Sequence, residues 1–192
     1  PAQKPAFDYS RSGNPTRASL EAALADLEGA ARGVVTSTGM SAVDLSLFSV
    51  NPGDLVIAPH DCYGGTHRLL SARARRGHFR VAFIDQADDA AFAEAISNRP
   101  KLVLFETPSN PLLRVIDLEA RAGAAKQAGA IAVADNTFLS PVLQNPLALG
   151  CDLVVHSTTK FINGHSDVVG GAVLAKDAAL GAELAWWANC TG

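Results

Sequence analysis

The chain has 192 residues, 48% of them hydrophobic, 6% aromatic and 18% charged, with a formal net charge of −3. That length and balance suit one soluble globular domain with a real core and exclude a disordered or fibrous chain. A slightly acidic chain whose longest basic run is Arg75-Arg76 is a poor non-specific nucleic-acid binder, and no apolar stretch approaches the ~20 residues that span a bilayer.

The predicted elements alternate along the chain. A helix over 16–28 follows Pro15, with Thr16 as its expected cap and Gly29 as its stop; Leu20, Leu24 and Leu27 share one face. A strand over 33–37 runs into Ser37-Thr38-Gly39-Met40, which opens a second helix. Then come a strand at 54–59, a helix at 63–76, a strand at 80–85, a helix at 87–97 and a strand at 101–107. A helix over 117–128, capped by Asp117, precedes strands at 131–137, 153–159 and 170–176 and a last helix at 178–189. Runs such as Val103-Leu104-Phe105 are apolar without alternation, as in strands buried on both faces. Seven such strands with helices between them predict an α/β fold with a parallel or mostly parallel sheet.

Cys62, Cys151 and Cys190 form no CxxC and read as free thiols of a reducing compartment, so a cytoplasmic location is expected. The start, Pro1-Ala2-Gln3-Lys4, is polar and has no apolar h-region. Both ends read as cut. Tyr9 to Thr16 stands close to the start, and the apolar pair Trp186-Trp187 near the end has no obvious partner. The expectation is one domain over 1–192 that is a fragment of a longer protein.

Polar residues gather at predicted strand ends, where ligands bind in open α/β sheets. Gly39 and Met40 at a helix start offer free N–H groups to a phosphate, and the hydroxyls of Ser157 and Thr159 can donate to it. Lys160 follows them and could form a Schiff base with a carbonyl cofactor. Asp135, ending an apolar strand, is costly to bury unless a cation meets it; the ring nitrogen of pyridoxal phosphate is such a cation. Tyr63, heading a helix before two glycines, could stack on a flat ring. Each residue alone has a plainer reading: a turn Asp, an exposed Lys, a Gly-Met turn into a helix. Their convergence on one sheet carries the cofactor reading.

Other chemistries lack their patterns. There is no GxGxxG and no GxxxxGK[ST]. Gly39-Met40-Ser41-Ala42-Val43 lacks the second glycine of a nucleophile elbow, and His60, His67, His78, His156 and His165 show no HExxH spacing for a metal. His60 and His156 read as polar partners near the sheet edge, and His165 as a residue that orders its loop.

The chain resembles the Cys/Met-metabolism family of pyridoxal-phosphate enzymes, the transsulfuration enzymes, over nearly its whole length. The likeness lies in Tyr9-Ser10-Arg11 with Asn14-Pro15-Thr16, Thr38-Gly39-Met40-Ser41-Ala42, Tyr63-Gly64-Gly65-Thr66, Glu106-Thr107-Pro108-Ser109-Asn110-Pro111, Asp135-Asn136-Thr137-Phe138, His156-Ser157-Thr158-Thr159-Lys160 and Gly164-His165-Ser166-Asp167, in the family's order. The resemblance implies the large, cofactor-binding domain of fold type I, with Lys160 as the Schiff-base lysine, Asp135 on the pyridine nitrogen and Tyr63 on the ring and in acid–base work. It implies that Gly39, Met40, Ser157 and Thr159 hold the phosphate, that Asn110 stands beside the phenolic oxygen, and that Tyr9 and Arg11 reach the phosphate of a neighbouring subunit. Homotetramers built from dimers with shared sites, amino-acid substrates and a C-terminal domain carrying the carboxylate-binding arginine are implied too. Ala58-Pro59-His60-Asp61-Cys62-Tyr63, Leu112-Leu113-Arg114-Val115, Gln144-Asn145-Pro146-Leu147-Ala148-Leu149-Gly150 and Leu184-Ala185-Trp186-Trp187-Ala188-Asn189 are most similar to the branch that replaces the γ-substituent of an activated homoserine. The implied activity is cystathionine synthesis from O-succinylhomoserine and cysteine, in methionine biosynthesis. The alternatives are a cystathionine γ- or β-lyase, an O-acetylhomoserine sulfhydrylase or, in another class, a non-catalytic truncated copy.

Overall fold

A computed structural model describes residues 7–191. The polar start Pro1-Ala2-Gln3-Lys4 and the final Gly192 lie outside the described residues. The helices are α1 (Pro15–Glu28), α2 (Gly39–Ser46), α3 (Gly64–Arg75), α4 (Asp89–Ser97), α5 (Leu118–Gln127), α6 (Ser140–Leu143) and α7 (Ala178–Thr191). The strands are β1 (Arg32–Thr36), β2 (Leu55–Pro59), β3 (Arg80–Ile84), β4 (Leu102–Glu106), β5 (Ile131–Asp135), β6 (Leu153–His156) and β7 (Gly171–Ala175). They form one sheet in the order β1-β7-β6-β5-β4-β2-β3. The pairs β2–β3, β2–β4, β4–β5 and β5–β6 are parallel, while β7 runs antiparallel to both β6 and β1. The expected mostly parallel, seven-stranded sheet is therefore present.

The apolar runs are explained by burial on both faces. Successive residues of a strand point to opposite sides. Val56, Ala58, Leu102, Leu104, Val133 and Val155 pack with Ala42 and Val43 of α2, Leu70 of α3 and Leu184 of α7. Ile57, Val103, Phe105, Ala132 and Ala134 pack with Phe92 of α4 and Leu118, Ala122 and Ala125 of α5. Val154 and Leu174 meet Leu24 of α1. This alternation decides what lies beyond each strand. Glu106, Asp135 and Ser157 continue the rows of Leu104, Val133 and Val155, so they fall on the face where α2 and α3 begin.

Several local readings are corrected. α1 is capped by Asn14, whose side chain accepts from Arg17 N at 3.0 Å, and not by Thr16; Pro15 takes the first helical position, where its missing N–H costs nothing. Leu24 is buried, but Leu20 and Leu27 are 42% and 57% exposed, because α1 turns Leu24, Ala25 and Glu28 inward. β6 ends at His156, and Ser157 to Lys160 form a turn. Trp186 and Trp187 meet edge-on, with centroids 4.9 Å apart, and Trp186 stays exposed. Asp117 caps α5 by accepting from Ala120 N at 3.0 Å, as expected.

Candidate functional site

A cavity of about 670 Å³ opens beyond the carboxyl ends of β4, β5 and β6. Lys160, Tyr63, Asn110 and Asp135 line it, as do Gly39, Met40, Ser157 and Thr159. It thus collects residues spread from position 39 to position 160. Tyr9 and Arg11 do not reach it within one chain. Tyr9 is exposed, and Arg11 donates from Nη1 to the Asn189 backbone O at 2.6 Å and side-chain Oδ1 at 3.0 Å.

The helix α2 supplies one wall. Thr38 caps it by accepting from Ser41 N at 3.0 Å, which leaves the N–H groups of Gly39 and Met40 without helical partners. A Cβ at Gly39 would lie 2.5 Å from Ser157 Cβ, so only glycine lets the helix start meet the turn after β6. Thr159 Oγ1 donates to Gly170 O at 3.2 Å and accepts from Gly170 N at 3.1 Å; its hydroxyl is engaged with the segment just before β7.

Next to this wall stands Tyr63, at the start of α3. A Cβ at Gly65 would lie 2.5 Å from the Tyr63 ring and 2.9 Å from Met40 Sδ. Gly65 therefore gives the ring its place, whereas Gly64 has open space around it. Cys62, just before Tyr63, is buried, and desolvation and the nearby Glu106 push its thiol up to about 12, far from a reactive thiolate.

Two carboxylates form the floor. Asp135 Oδ1 accepts from Thr137 N at 3.0 Å, yet desolvation pushes its pKa up. Among the described residues, no Lys, Arg or His lies within ion-pair distance of it. Beside it in register stands Glu106, raised to about 7 by desolvation and by Asp135. Sequence reading placed Glu106 in a motif but gave it no role; a lone acid ending a strand carries no signal of its neighbour across the sheet. Thr137, also unassigned, accepts from Ser157 N at 2.8 Å and joins the ends of β5 and β6.

Beneath the floor, on the other face of the sheet, Glu28 and His156 are both buried and meet at 2.6 Å. Asn136 Nδ2 donates to the same Glu28 oxygen at 2.9 Å. His156 is a polar partner, as expected, but on a strand inside the sheet and not at its edge. His60 bonds Ile84 O at 3.1 Å, and His165 bonds Asn163 O within its own loop at 2.9 Å. Among the described residues, no helix is long and apolar enough to cross a membrane.

A mostly parallel sheet with a cavity at its carboxyl ends, opened by a helix start and floored by acids, has the layout of a cofactor-holding α/β domain. The chain belongs to the Cys/Met metabolism PLP-dependent enzyme family, whose sequence profile matches residues 1–192. It is 59% identical over 188 residues to the cystathionine gamma-synthase of Escherichia coli K12, covering 97% of this chain and 49% of that protein. It is 43% identical over 187 residues to the cystathionine beta-lyase MetC of Bacillus subtilis, covering 97% and 48%. A cystathionine gamma synthase from Xanthomonas oryzae pv. oryzae, solved with aminoacrylate and cysteine, superposes with a TM-score of 0.96 at 58% identity, covering 98% of this chain and 49% of that one. The chain spans about half the length of the curated relatives it matches, and its sheet has the fold type I architecture.

The cavity fits pyridoxal phosphate. Gly39 keeps a cradle clear at a helix start, and the half-buried, desolvated Asp135 carboxylate, with no cation in ion-pair distance among the described residues, stands where a protonated ring nitrogen would satisfy it.

Proposed function

We propose that the full-length protein makes cystathionine from O-succinylhomoserine and cysteine, with pyridoxal phosphate held in this cavity by residues 1–192 as its cofactor-binding domain. The observation that carries the cofactor reading is Asp135, a desolvated carboxylate that lines one cavity with Lys160 and the helix start at Gly39. The choice of reaction is supported by the greater identity to a cystathionine gamma-synthase, 59%, than to a cystathionine beta-lyase, 43%.

When bound, the cofactor supplies an electron sink for charge developing on the substrate carbons. Asp135 would hold the proton on the ring nitrogen and so keep that sink deep. Lys160 Nζ would hold the cofactor through its aldehyde and, as a free amine, would take the substrate Cα proton and carry protons between carbons. The N–H groups of Gly39 and Met40 and the hydroxyl of Ser157 would hold the phosphate, joined by the Thr159 hydroxyl once it turns its proton from Gly170 O. Tyr63 would cover the ring face and shield it from water, with its hydroxyl as an acid or base, and Asn110 would meet the phenolic oxygen. Tyr9 and Arg11 complete the phosphate site of a neighbouring copy in a homotetramer of dimers, in the cytoplasm.

The test has two parts. Borohydride reduction of the yellow full-length protein followed by peptide mapping should fix the cofactor on Lys160. Incubation of the unreduced protein with O-succinylhomoserine and cysteine should yield cystathionine and succinate. Breakdown of cystathionine alone, with no synthesis, would assign the protein to the lyases, and no turnover of either would mark it as a non-catalytic copy.

A further inference from the structure

Tyr63 opens α3 with no side-chain cap from its own neighbourhood. The acceptor comes from across the sheet instead. Glu106 Oε2 accepts the Tyr63 N–H at 2.9 Å, across 43 residues of sequence. Glu106 Oε1 accepts the Asn110 N–H at 2.7 Å. Each oxygen of one carboxylate therefore holds one of the two segments that bring Tyr63 and Asn110 to the cavity.

An acid is an expensive residue for this place. Glu106 is 7% exposed, lines the cavity and pairs in register with Asp135, so burial and like charge both oppose its ionisation. A glutamine would avoid that cost, but one of its two head atoms is a donor and could not accept from an N–H. Only a carboxylate accepts at both ends, and it also places negative charge at a helix start. The outer part of the 107–116 segment is tied elsewhere: Ser109 Oγ donates to Asp61 Oδ2 at 2.6 Å, and Arg114 meets Asp85 at 2.5 Å. Loss of Glu106 would thus free the Asn110 end of the segment and leave the rest anchored.

We propose that Glu106 is a positioning residue, one carboxylate that sets Tyr63 and Asn110 against the cofactor together. This rests on the pyridoxal-phosphate reading of the cavity. Glu106 acts through the two backbone segments it holds, so disturbing it weakens both contacts at once.

The test titrates pyridoxal phosphate into the cofactor-free full-length protein as wild type, Glu106→Gln, Asn110→Ala and the double variant. Glu106→Gln is expected to weaken binding at least tenfold and to alter the visible circular dichroism of the bound cofactor. In its background, Asn110→Ala should cost less than half, on a logarithmic scale, of what it costs in the wild type. Wild-type affinity with unchanged dichroism in Glu106→Gln, or fully additive losses, would overturn the proposal. If Glu106→Gln does not fold, Glu106→Asp, which keeps the charge but is too short to reach both N–H groups, is judged by the same criteria; failure of both to fold makes Glu106 a scaffold residue and overturns it as well. A wild type that takes up no cofactor overturns the reading of the cavity together with this one. Normal wild-type uptake with an unaffected Glu106→Gln overturns this one alone.

Discussion

Gly39 and Ser157 approach so closely that a Cβ on the glycine would lie 2.5 Å from the serine Cβ and 2.8 Å from its Cα. The near atoms belong to the start of a turn and not to the tip of a flexible chain, so neither side can yield without moving backbone. The contact joins α2, which the sequence places early, to the turn that carries Lys160.

Gly39→Ala should therefore disturb the site more than its single methyl suggests. Overpacking of this kind costs about 1–3 kcal/mol, which urea unfolding of the cofactor-free protein would show. Cofactor affinity should fall at least tenfold, because the freed N–H groups of α2 are pushed off the phosphate. Unchanged affinity would mean that the phosphate does not sit on this helix start.

A second prediction concerns the buried pair beneath the sheet. Glu28 meets His156 Nε2 at 2.6 Å and accepts from Asn136 Nδ2 at 2.9 Å; Asn136 Nδ2 also donates to Gln144 O at 2.8 Å, so it is the buried His156 that a lost Glu28 would strand. Glu28→Ala should destabilise the protein by about 3–5 kcal/mol, the usual result of stranding one partner of a buried pair. Denaturant midpoints measure this. Glu28→Gln, which keeps an acceptor, should cost less.

Much of this was legible in the sequence because the sheet is buried on both faces. Continuous apolar runs such as Leu102 to Phe105 announce such strands, and the polar residues just after them announce the ligand end. The errors arise where distant partners decide. A Thr-rich stretch has strand propensity, yet 157–160 turns, with Lys160 N bonding Ser157 O at 3.2 Å. Leu20 and Leu27 read as core by helical spacing, but the sheet accepts only the Leu24 side of α1. The four-residue α6 is too short to show any period. Glu106 was invisible as a site residue because Asp135 reaches it by parallel register and Tyr63 from the start of α3, 43 residues away, which no local pattern encodes.

The two floor carboxylates give a prediction about pH. In the folded, cofactor-free protein the Glu106 pKa rises from 4.5 to about 7, and that of Asp135 is also raised. The native state then binds protons more tightly than the unfolded state, so unfolding free energy falls as pH rises from the unfolded pKa through the folded one. For Glu106 alone this amounts to about 3 kcal/mol lost between roughly pH 4.5 and 7. Melting of the cofactor-free protein should show a stability that declines across that window and levels off above it. Glu106→Gln should flatten the slope, and loading with pyridoxal phosphate should reduce it, since a protonated ring nitrogen offsets the same negative charge.

Asp135→Asn provides the most direct test of the chemistry assigned to the cavity. Asparagine keeps the shape of the side chain and can still accept from Thr137 N, so the turn after β5 should remain intact. What it loses is charge. A neutral amide cannot hold a proton on a pyridine nitrogen, and without that proton the ring withdraws electrons less strongly from the substrate. Turnover by the full-length protein should fall at least a hundredfold, about 3 kcal/mol in the barrier, while phosphate-driven cofactor binding weakens much less. Cofactor titration and steady-state kinetics on the same preparation separate the two effects. Near wild-type turnover in that variant would remove Asp135 from its proposed role, and a matched loss of binding and rate would make it a cofactor anchor without electronic work.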